Sequence, residues 1–307
     1  MRIVITGGTG MIGRHIVAAL VERGDEVVVL SHDPAAKADR VQPGARVVAW
    51  DPHDLSADWV KALDGAAGVV NLAGANIGDW PWTAARKRLL VDSRVTATTA
   101  IVGAMAMVPA ERRPRVLVSV SGTDRYDGRD AVPATEETEP ATTFLANLCV
   151  AWEDAAVKAE ALDVRVVRPR FSVVLSREAK SLRSFALPFR LFVGGPIAGG
   201  RQWVSWVHID DVVAIVLWAL DDDAIDGPIN VAAPDPRQQA DFARALGRVL
   251  HRPSFLPTPG WPFRLAFPRG QSTLVLGSRR VWPARALAAG YRFRYPQLED
   301  ALEQELG

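Results

Sequence analysis

The chain has 307 residues, of which 49% are hydrophobic and 23% are charged, and this composition is typical of a globular protein with a large core. Its formal net charge of +1 gives no electrostatic reason to expect a nucleic acid or an anionic membrane as a partner. The one cysteine, Cys149, excludes an internal disulfide and favours a reducing compartment. No signal peptide precedes the first strand and no apolar run approaches the roughly 18 residues of a membrane span, so we expect a cytoplasmic protein.

Residues 2–30 predict a dinucleotide-binding unit of strand, glycine turn, helix and second strand. The apolar run Ile3–Thr6 is typical of a buried parallel strand, and three glycines follow it at once. Gly7 permits the tight turn, Gly10 lets a pyrophosphate approach the backbone, and Gly13 lets the helix pack closely on the strand. The free N–H groups of the helix N-terminus then face the phosphates. The cofactor contacts expected from this turn are Gly7, Thr9, Gly10, Met11, Ile12 and Gly13.

The rest of the chain alternates between predicted strands and helices, without repeats or low-complexity linkers. This order predicts an α/β fold with a doubly wound parallel Rossmann sheet of at least six strands. Beyond Arg170, Pro and Gly become denser, which predicts a smaller C-terminal substrate lobe. We expect a dinucleotide-binding domain over 1–170 and the lobe over 171–307, with a return to the sheet near 204–232. The predicted strands lie at 46–50, 68–72, 115–120 and 164–168, and the predicted helices at 57–63, 83–107 and 143–161.

Several segments resemble the extended short-chain dehydrogenase/reductase superfamily. The cofactor loop GGTGMIG carries the general likeness. The segments NLAGANIGDW, WVSWVHIDDV and LGSRRVWPARALAAGYRF are more specific, and they resemble the atypical branch of nucleoside-diphosphate-sugar epimerase-like proteins with its C-terminal tail domain. The likeness runs from Met1 to about Leu306. It implies an NAD(P)-dependent oxidoreductase or epimerase and, by analogy, a homodimer that forms through the two long helices.

The usual catalytic pair of that superfamily is missing from this chain. Short-chain dehydrogenases use a Tyr as general acid/base and a Lys four residues later. None of the three tyrosines here is followed by such a Lys, and by resemblance Leu145 and Cys149 take the two places. The superfamily's upstream Ser is kept as Ser121, and Arg94 stands where an Asn is usual. The machinery for hydride transfer is therefore incomplete.

Four residues are candidates for the missing chemistry. Ser121 follows a strand's carboxyl end and is expected to contact substrate or nicotinamide, or else to serve as a turn residue. Tyr126 either takes over proton transfer from its loop or packs as an aromatic under the second lobe. Cys149 is either a nucleophile or a small buried hydrophobe within its helix. Asp124 is a further candidate acid/base.

The end of the second strand favours NADP over NAD. NAD-preferring folds place an Asp or Glu there for the ribose hydroxyls, whereas this chain has Ser31 and His32. Arg14 resembles the basic residue with which related reductases bind the 2′-phosphate. The cations Lys37 and Arg40 lie downstream and also suit a 2′-phosphate. NAD remains the alternative cofactor, and the alternative for His32 and Lys37 is an exposed loop after the strand. Further cofactor contacts are expected from Asp51, Leu72, Ala73, Gly74 and Arg94.

Two segments of the chain are expected to contact the substrate. An Arg placed like Arg201 often binds a substrate phosphate in extended short-chain enzymes, and its guanidinium suits that task. Trp80 either lines the pocket mouth together with Trp82 or covers the sheet edge. The substrate would be a small polar molecule, phosphorylated or nucleotide-sugar-like.

The segment WVHIDD predicts a strand followed by a helix. Asp210 or Asp211 is expected to cap a helix that begins with Val212. His208 beside two carboxylates resembles a metal site, but the fragment offers no third ligand at sensible spacing, so we expect a structural hydrogen bond and no metal.

Two classes of function follow from these observations. The first is an NADP-dependent oxidoreductase or epimerase that works through Ser121 and an unconventional acid. The second is an NADP-binding protein without turnover, which senses redox state or binds a partner. The retained Ser121 and Arg201 favour the first class, and the missing Tyr and Lys favour the second.

Overall fold

A computed structural model of the chain describes residues 1–36, 38–79, 81–127, 132–267 and 270–307. The amino-terminal half alternates strands with helices, and short 3-10 turns lie between them at Ala38–Arg40, Asp58–Leu63, Ala110–Arg112, Thr123–Arg125 and Lys158–Leu162. Its elements are β1 (Arg2–Thr6), α1 (Met11–Glu22), β2 (Glu26–Ser31), β3 (Arg46–Ala49), β4 (Gly68–Asn71), α2 (Ala84–Met107), β5 (Val116–Ser119), β6 (Ser121–Gly122), α3 (Phe144–Val157) and β7 (Arg165–Phe171).

The carboxyl-terminal half has shorter elements, as the density of Pro and Gly predicts. They are β8 (Val173–Leu175), α4 (Lys180–Arg190), β9 (Trp203–Val204), β10 (Trp206–His208), α5 (Ile209–Asp221), β11 (Gly227–Val231), β12 (Arg237–Gln238), α6 (Gln239–Val249), α7 (Trp261–Ala266), α8 (Thr273–Leu276), α9 (Ala284–Ala288) and α10 (Leu298–Leu306).

The main sheet is parallel and doubly wound, which confirms the predicted fold class. Its strand order is β11-β7-β5-β4-β1-β2-β3, with β6 also paired to β7. The chain runs outward from β1 in one direction through β2 and β3, and in the other direction from β4 to β11. The order therefore reverses between β1 and β4, and open sheets of this kind bind ligands outside the carboxyl ends of the strands at that point.

The strands that follow β7 belong to different sheets. β11 pairs with β7 in the main sheet, whereas β9 and β10 form separate two-stranded pairs with β12 and β8. The other strands after β7 therefore lie outside the main sheet.

The β-branched residues of the strands are buried on both faces of the sheet. Val4 and Val28 pack toward α2 and the end of α3, whereas Ile5 and Val29 pack toward α1 and α5. Successive side chains of a strand point to opposite faces, so a continuous apolar run is what a strand covered on both sides needs.

A buried polar network ties the centre of the sheet to the two long helices. Asn71, at the end of β4, accepts a hydrogen bond from Thr6 Oγ1 at 2.7 Å. Its Nδ2 donates to Thr98 Oγ1 at 2.8 Å and to Ser119 Oγ at 3.2 Å, and Trp152 Nε1 donates to the same Thr98 oxygen at 3.0 Å. Buried polar groups need partners, so this network fixes β1, β4 and β5 against α2 and α3.

Helix α2 is 24 residues long and, by length and composition alone, apolar enough to cross a bilayer. Half of its most apolar window is buried inside the protein, and the helix packs on α3.

The residue that caps α5 is His208 and not Asp210 or Asp211, and the helix begins at Ile209. His208 Nδ1 accepts the Asp210 backbone N–H at 3.1 Å. Its Nε2 lies 3.0 Å from Glu305 Oε1, and its ring stacks on Tyr295 with 3.9 Å between centroids. Burial lowers the pKa of His208, and the ring serves a structural role as expected.

The buried carboxylate of Asp211 holds the C-terminal tail against α5. Its Oδ1 accepts the Arg294 N–H at 2.7 Å and the Tyr291 hydroxyl at 3.1 Å, and its Oδ2 accepts the Tyr295 N–H at 3.1 Å. The side chain is almost fully buried. Hydrogen bonds to a charged group are the strong ones, so one side chain secures residues 291–295 to the fold.

We expect Asp211→Ala to lower the free energy of unfolding by about 3 kcal/mol, because three hydrogen bonds to a buried charge are lost. Asp210→Ala is the matched control, since the neighbouring carboxylate is half exposed and pairs with the exposed Arg294 side chain at 3.2 Å. Urea unfolding of the two variants measures the difference. Equal losses in both variants would contradict the role of Asp211.

Candidate functional site

The glycine turn between β1 and α1 has the geometry of a phosphate cradle. Gly7 has φ +68°, and a Cβ on it would lie 2.7 Å from the Leu72 carbonyl oxygen. A Cβ on Gly13 would overlap the Gly7 carbonyl oxygen. Both glycines are therefore required by space, and Gly7 is also required by its backbone conformation.

The start of α1 is free to bind an anion. Gly10 occupies the N-cap position, and no side chain caps the helix. Thr9 and Gly10 at the turn are accessible, while Met11 and Ile12 are half-buried against the second lobe and the core. Unsatisfied N–H groups and the helix dipole favour a phosphate at this position, so these residues fit a dinucleotide.

The predicted adenosine side of the site lies at the ends of β2 and β3. Ser31 is buried, and its Oγ accepts the Asp33 N–H at 3.3 Å. The exposed His32 ring stacks on Trp50 with 5.0 Å between centroids. Asp51 is exposed, and its Oδ1 accepts the His53 N–H at 2.9 Å. No carboxylate occupies the first position after β2, and this absence favours NADP over NAD. Lys37 lies outside the described residues.

Arg14 contacts a residue that the sequence analysis did not identify. Its Nη2 lies 2.5 Å from Glu178 Oε2, and His15 Nε2 lies 3.5 Å from the other oxygen of that carboxylate. Glu178 follows β8 in the second lobe. A 2′-phosphate at the end of β2 would compete with Glu178 for Arg14, since both are anions that a guanidinium binds.

Arg94 lies beneath the segment that follows β4. Its guanidinium is 5.0 Å from the Trp152 ring and donates to the Leu90 carbonyl at 2.9 Å, and a Cβ on Gly74 would lie 3.0 Å from its Cζ. The side chain is buried, and its Nε has no hydrogen-bond partner in the described part of the chain. Ala73 is buried next to Gly74, and Leu72 packs against the core.

Ser121, Asp124 and Cys149 come together where the usual catalytic residues would stand. A Cβ on Gly122 would lie 3.7 Å from Cys149 Sγ and 3.6 Å from Asp124 Oδ2, so these two groups flank the backbone after Ser121. Ser121 is 4% exposed, and its hydroxyl has protein partners, because hydrogen bonds with Ser121 act to lower the pKa of Glu153 and of Cys149. The Oγ is therefore held within this cluster of polar groups.

The thiol of Cys149 is buried and protonated. Burial raises its pKa to about 12, and the charges of Asp124 and Glu153 act in the same direction. A nucleophilic cysteine needs a lowered pKa, so the geometry matches the second alternative for Cys149, a small buried hydrophobe.

Tyr126 is buried and its hydroxyl is fully engaged. It donates to Asn230 Oδ1 at 2.9 Å and accepts from Arg170 Nη1 at 2.5 Å. Burial raises the pKa of Tyr126 to about 12. These contacts match the alternative in which Tyr126 packs beneath the second lobe, rather than the one in which it transfers protons.

Arg170 and Glu153 form a buried ion pair behind this site, which the sequence analysis missed. Arg170 donates from Nε and Nη2 to the two Glu153 oxygens, at 2.8 Å each, and both side chains are 3% exposed. Burial alone would raise the pKa of Glu153, but the hydrogen bonds and charge of Arg170 lower it. The hydrogen bonds of Glu153 likewise hold the pKa of Arg170 above its ordinary value against the effect of burial.

Arg279 brings the second lobe into the site. Its Nη2 lies 2.6 Å from Asp124 Oδ1, and its backbone N–H donates to the Trp203 carbonyl at 2.9 Å. The pairing joins a tail segment to the loop after β6. Nothing in the sequence links positions 124 and 279, because they meet only in the folded chain.

The neighbourhood of Leu145 is apolar. Leu145 lies in a buried cluster with Trp82, Leu90 and Cys149, and Leu274 of α8 packs against that cluster from the second lobe. Trp82 is almost fully buried, and its Nε1 donates to the Ile77 carbonyl at 3.0 Å. Its position fits the predicted role of a covering side chain better than that of a residue at the pocket mouth. Trp80 lies outside the described residues.

The remaining predicted site residues are not joined to this cluster. Arg201 is exposed in the turn before β9 and has no polar partner among the residues that the structure describes. No group of three metal-ligating side chains is found in the described residues, and that includes the surroundings of His208.

The comparisons with known proteins agree with this geometry. The glycine turn, the parallel sheet and the tail-bearing second lobe define a dinucleotide-binding protein of the extended short-chain dehydrogenase type. The family model described as the NAD dependent epimerase/dehydratase family matches residues 3–232, and a domain of unknown function, DUF1731, matches residues 258–305. The chain belongs to the NAD dependent epimerase/dehydratase family, which confirms the resemblance found in the sequence.

Named relatives match nearly the whole chain. The bovine epimerase family protein SDR39U1 is 35% identical over 99% of this chain and 99% of its own length. The chloroplastic SDR39U1 homolog of Arabidopsis thaliana is 35% identical over 98% of this chain and 86% of its own length. The solved structure of human SDR39U1 with NADPH is 31% identical over 99% of this chain and 98% of that one, with a TM-score of 0.86.

We expect Cys149 in the folded protein to resist alkylation by iodoacetamide at pH 8, because its raised pKa leaves almost no thiolate. The same protein unfolded in urea should be fully alkylated, since an exposed thiol has a pKa of about 8.5. Mass spectrometry counts the adduct on this lone cysteine. Rapid alkylation of the folded protein would instead support a nucleophilic Cys149.

We expect Glu153→Gln to lower the free energy of unfolding by about 3 kcal/mol at pH 7, because Arg170 is left buried without its counter-charge. The lowered pKa of Glu153 means that its contribution is complete above the ordinary glutamate pKa and is lost as the pH falls through the folded value. The gap between variant and wild type should therefore narrow in acid. Urea unfolding at several pH values measures it, with the exposed Glu160→Gln as control; a gap independent of pH would mean that packing, not charge, is lost.

Proposed function

We propose that this protein binds NADP at the glycine turn and acts as an oxidoreductase or epimerase on a small polar substrate. The uncapped start of α1 and the absence of a carboxylate directly after β2 support the choice of cofactor. The human relative that was solved with NADPH supports the same choice. When bound, a nicotinamide supplies the capacity to accept or donate a hydride.

The observation that carries the proposal is the buried Nε of Arg94, which has no hydrogen-bond partner in the described part of the chain. Ser121 begins β6 at the carboxyl edge of the sheet, next to β5 and β4, and Gly74 after β4 lies against Arg94 of α2. The Ser121 hydroxyl would donate to a substrate oxygen, and Arg94 Nε would donate to a second polar group of the bound ligands. The unpaired Nε of Arg94 would then have an acceptor.

Proton transfer would rest on Asp124 rather than on Tyr126. The Tyr126 hydroxyl is held by Arg170 and Asn230, whereas Asp124 is partly exposed and borders Cys149 and Ser121. Arg279 pairs with Asp124 and would hold that carboxylate in place. Arg201 is proposed to reach a substrate phosphate from the exposed turn before β9.

A cytoplasmic location and a homodimer remain predictions.

The second candidate is an NADP-binding protein without turnover. The apolar surroundings of Leu145 and the raised pKa of Cys149 favour it, because neither position offers a group that moves a proton near neutral pH. Both candidates share the cofactor and differ only in chemistry, so binding and turnover must be measured separately.

We expect NADPH to bind more tightly than NADH, measured by fluorescence titration. Ser31→Glu should weaken NADPH binding by at least about tenfold and spare NADH, because a carboxylate repels the 2′-phosphate. Arg14→Ala should weaken NADPH as well. Glu178→Ala is the matched variant: it frees Arg14 from its ion pair, so NADPH affinity should hold or rise. Failure of both dinucleotides to bind at micromolar concentration would overturn the proposal.

Turnover is tested by NADPH oxidation with small carbonyl compounds and by epimerisation of nucleotide sugars. An enzyme should lose about a hundredfold in kcat in Ser121→Ala while its affinity for NADPH is unchanged. Tight NADPH binding with no turnover of any compound, in wild type and variant alike, would favour the protein without turnover.

A further inference from the structure

The second lobe carries an exposed apolar surface that the cofactor site does not use. Large hydrophobic side chains are exposed in two segments, 187–193 and 255–265, and Phe255 and Leu265 are 78% and 76% exposed. We call the exposed hydrophobics of these segments the apolar patch. Its members are Leu187, Leu191, Phe192, Val193, Phe255, Leu256, Trp261 and Leu265.

The two segments lie side by side. The Leu256 N–H donates to the Gly194 carbonyl at 3.2 Å, and the Thr258 N–H donates to the Pro196 carbonyl at 2.9 Å. A Cβ on Gly260, just before α7, would lie 2.9 Å from Ala198 Cβ. The exposed side chains therefore belong to two backbone segments that lie next to each other. Exposed apolar patches of this kind mark binding surfaces.

A cationic cavity adjoins the apolar patch. An open cavity of about 550 Å³ at the end of α6 is lined by three arginines and a histidine. Arg252 both lines this cavity and lies over the Phe192 ring, with 4.7 Å between its Cζ and the ring centroid. Arg244 pairs with Asp241 and Arg248 with Glu299, whereas no carboxylate pairs with Arg252 in the described part of the chain. The cationic residues of the cavity are Arg244, Arg248 and Arg252, and His251 lies beside them.

The sequence around the patch is strongly cationic although the whole chain is nearly neutral. Residues 242–298 contain ten arginines and no Asp or Glu. Residues 179–209 contain four Lys or Arg and again no acid. Positively charged residues are therefore concentrated in these two segments, and the acidic residues that bring the net charge to +1 lie elsewhere in the sequence.

We propose that the apolar patch and the adjoining cationic cavity bind the surface of a bilayer that contains anionic phospholipids. Phe192, Phe255, Trp261 and Leu265 would enter the interface between headgroups and acyl chains, and the arginines of the cavity would contact lipid phosphates. A second copy of this chain fits less well, since it would bring the same cations face to face. This inference is independent of the proposed function and replaces the expectation, drawn from net charge, that no membrane is bound.

The test is sedimentation of the whole protein with vesicles. Binding is expected to vesicles of phosphatidylcholine with phosphatidylglycerol, to weaken with salt, and to be absent with phosphatidylcholine alone. The double variant Phe192→Ser, Phe255→Ser should weaken binding by about tenfold or more, because two aromatic side chains leave the interface. Arg252→Glu should weaken it as well, because a repulsive charge then faces the lipid.

The controls are Leu89→Ser and Arg88→Glu, which alter an exposed hydrophobic and an exposed cation on α2 and should leave vesicle binding unchanged. Thermal unfolding verifies that each variant is folded. Failure of the folded wild type to sediment with anionic vesicles would overturn the proposal. So would patch variants that bind like wild type, or a self-association that the patch variants abolish while no vesicle is bound.

Discussion

The buried pair of Glu153 and Arg170 is the interaction on which the site depends. Glu153 lies on α3 four residues after Cys149, and Arg170 lies on β7 beside the strand that Ser121 begins. From the same guanidinium, Arg170 also donates to the Tyr126 hydroxyl and to the Glu136 carbonyl. Two charges out of water are tolerable only with such full hydrogen bonding. The pair therefore fixes the helix, the strand and the loop after β6 relative to one another.

The glycine turn of the site matches the family pattern more fully than the side around Ser121 does. The glycine turn is dictated by space, because a side chain on Gly7 or Gly13 would meet a backbone carbonyl. The side around Ser121 has Leu145 in an apolar cluster and Cys149 with a raised pKa, at the two positions where the resemblance would place the pair of Tyr and Lys. Arg94, Asp124 and Arg279 supply charge there instead. The sequence suggested Arg94 as a cofactor contact and Asp124 as a candidate acid/base, but it gave no indication of Arg279.

Average charge and local charge lead to different conclusions about this molecule. A net charge of +1 describes the chain as a whole, whereas the second lobe has ten arginines over 242–298 without an acid. Several of them are used internally, as Arg279 is by Asp124. Others line the cavity beside exposed aromatic side chains, and that juxtaposition is what suggests a lipid surface.

The sequence by itself determined the parallel sheet, the long helices and the glycine turn, because hydrophobic periodicity and glycine placement act over a few neighbouring residues. It did not determine that His208 rather than Asp211 caps α5, that Asp211 holds residues 291–295, or that Glu153 meets Arg170. The sequence left Tyr126 with two roles, and only its contacts with Arg170 and Asn230 distinguish them. A charged or polar side chain carries no local signal of its distant partner, so its burial and pKa are decided only when the tertiary fold brings the two together.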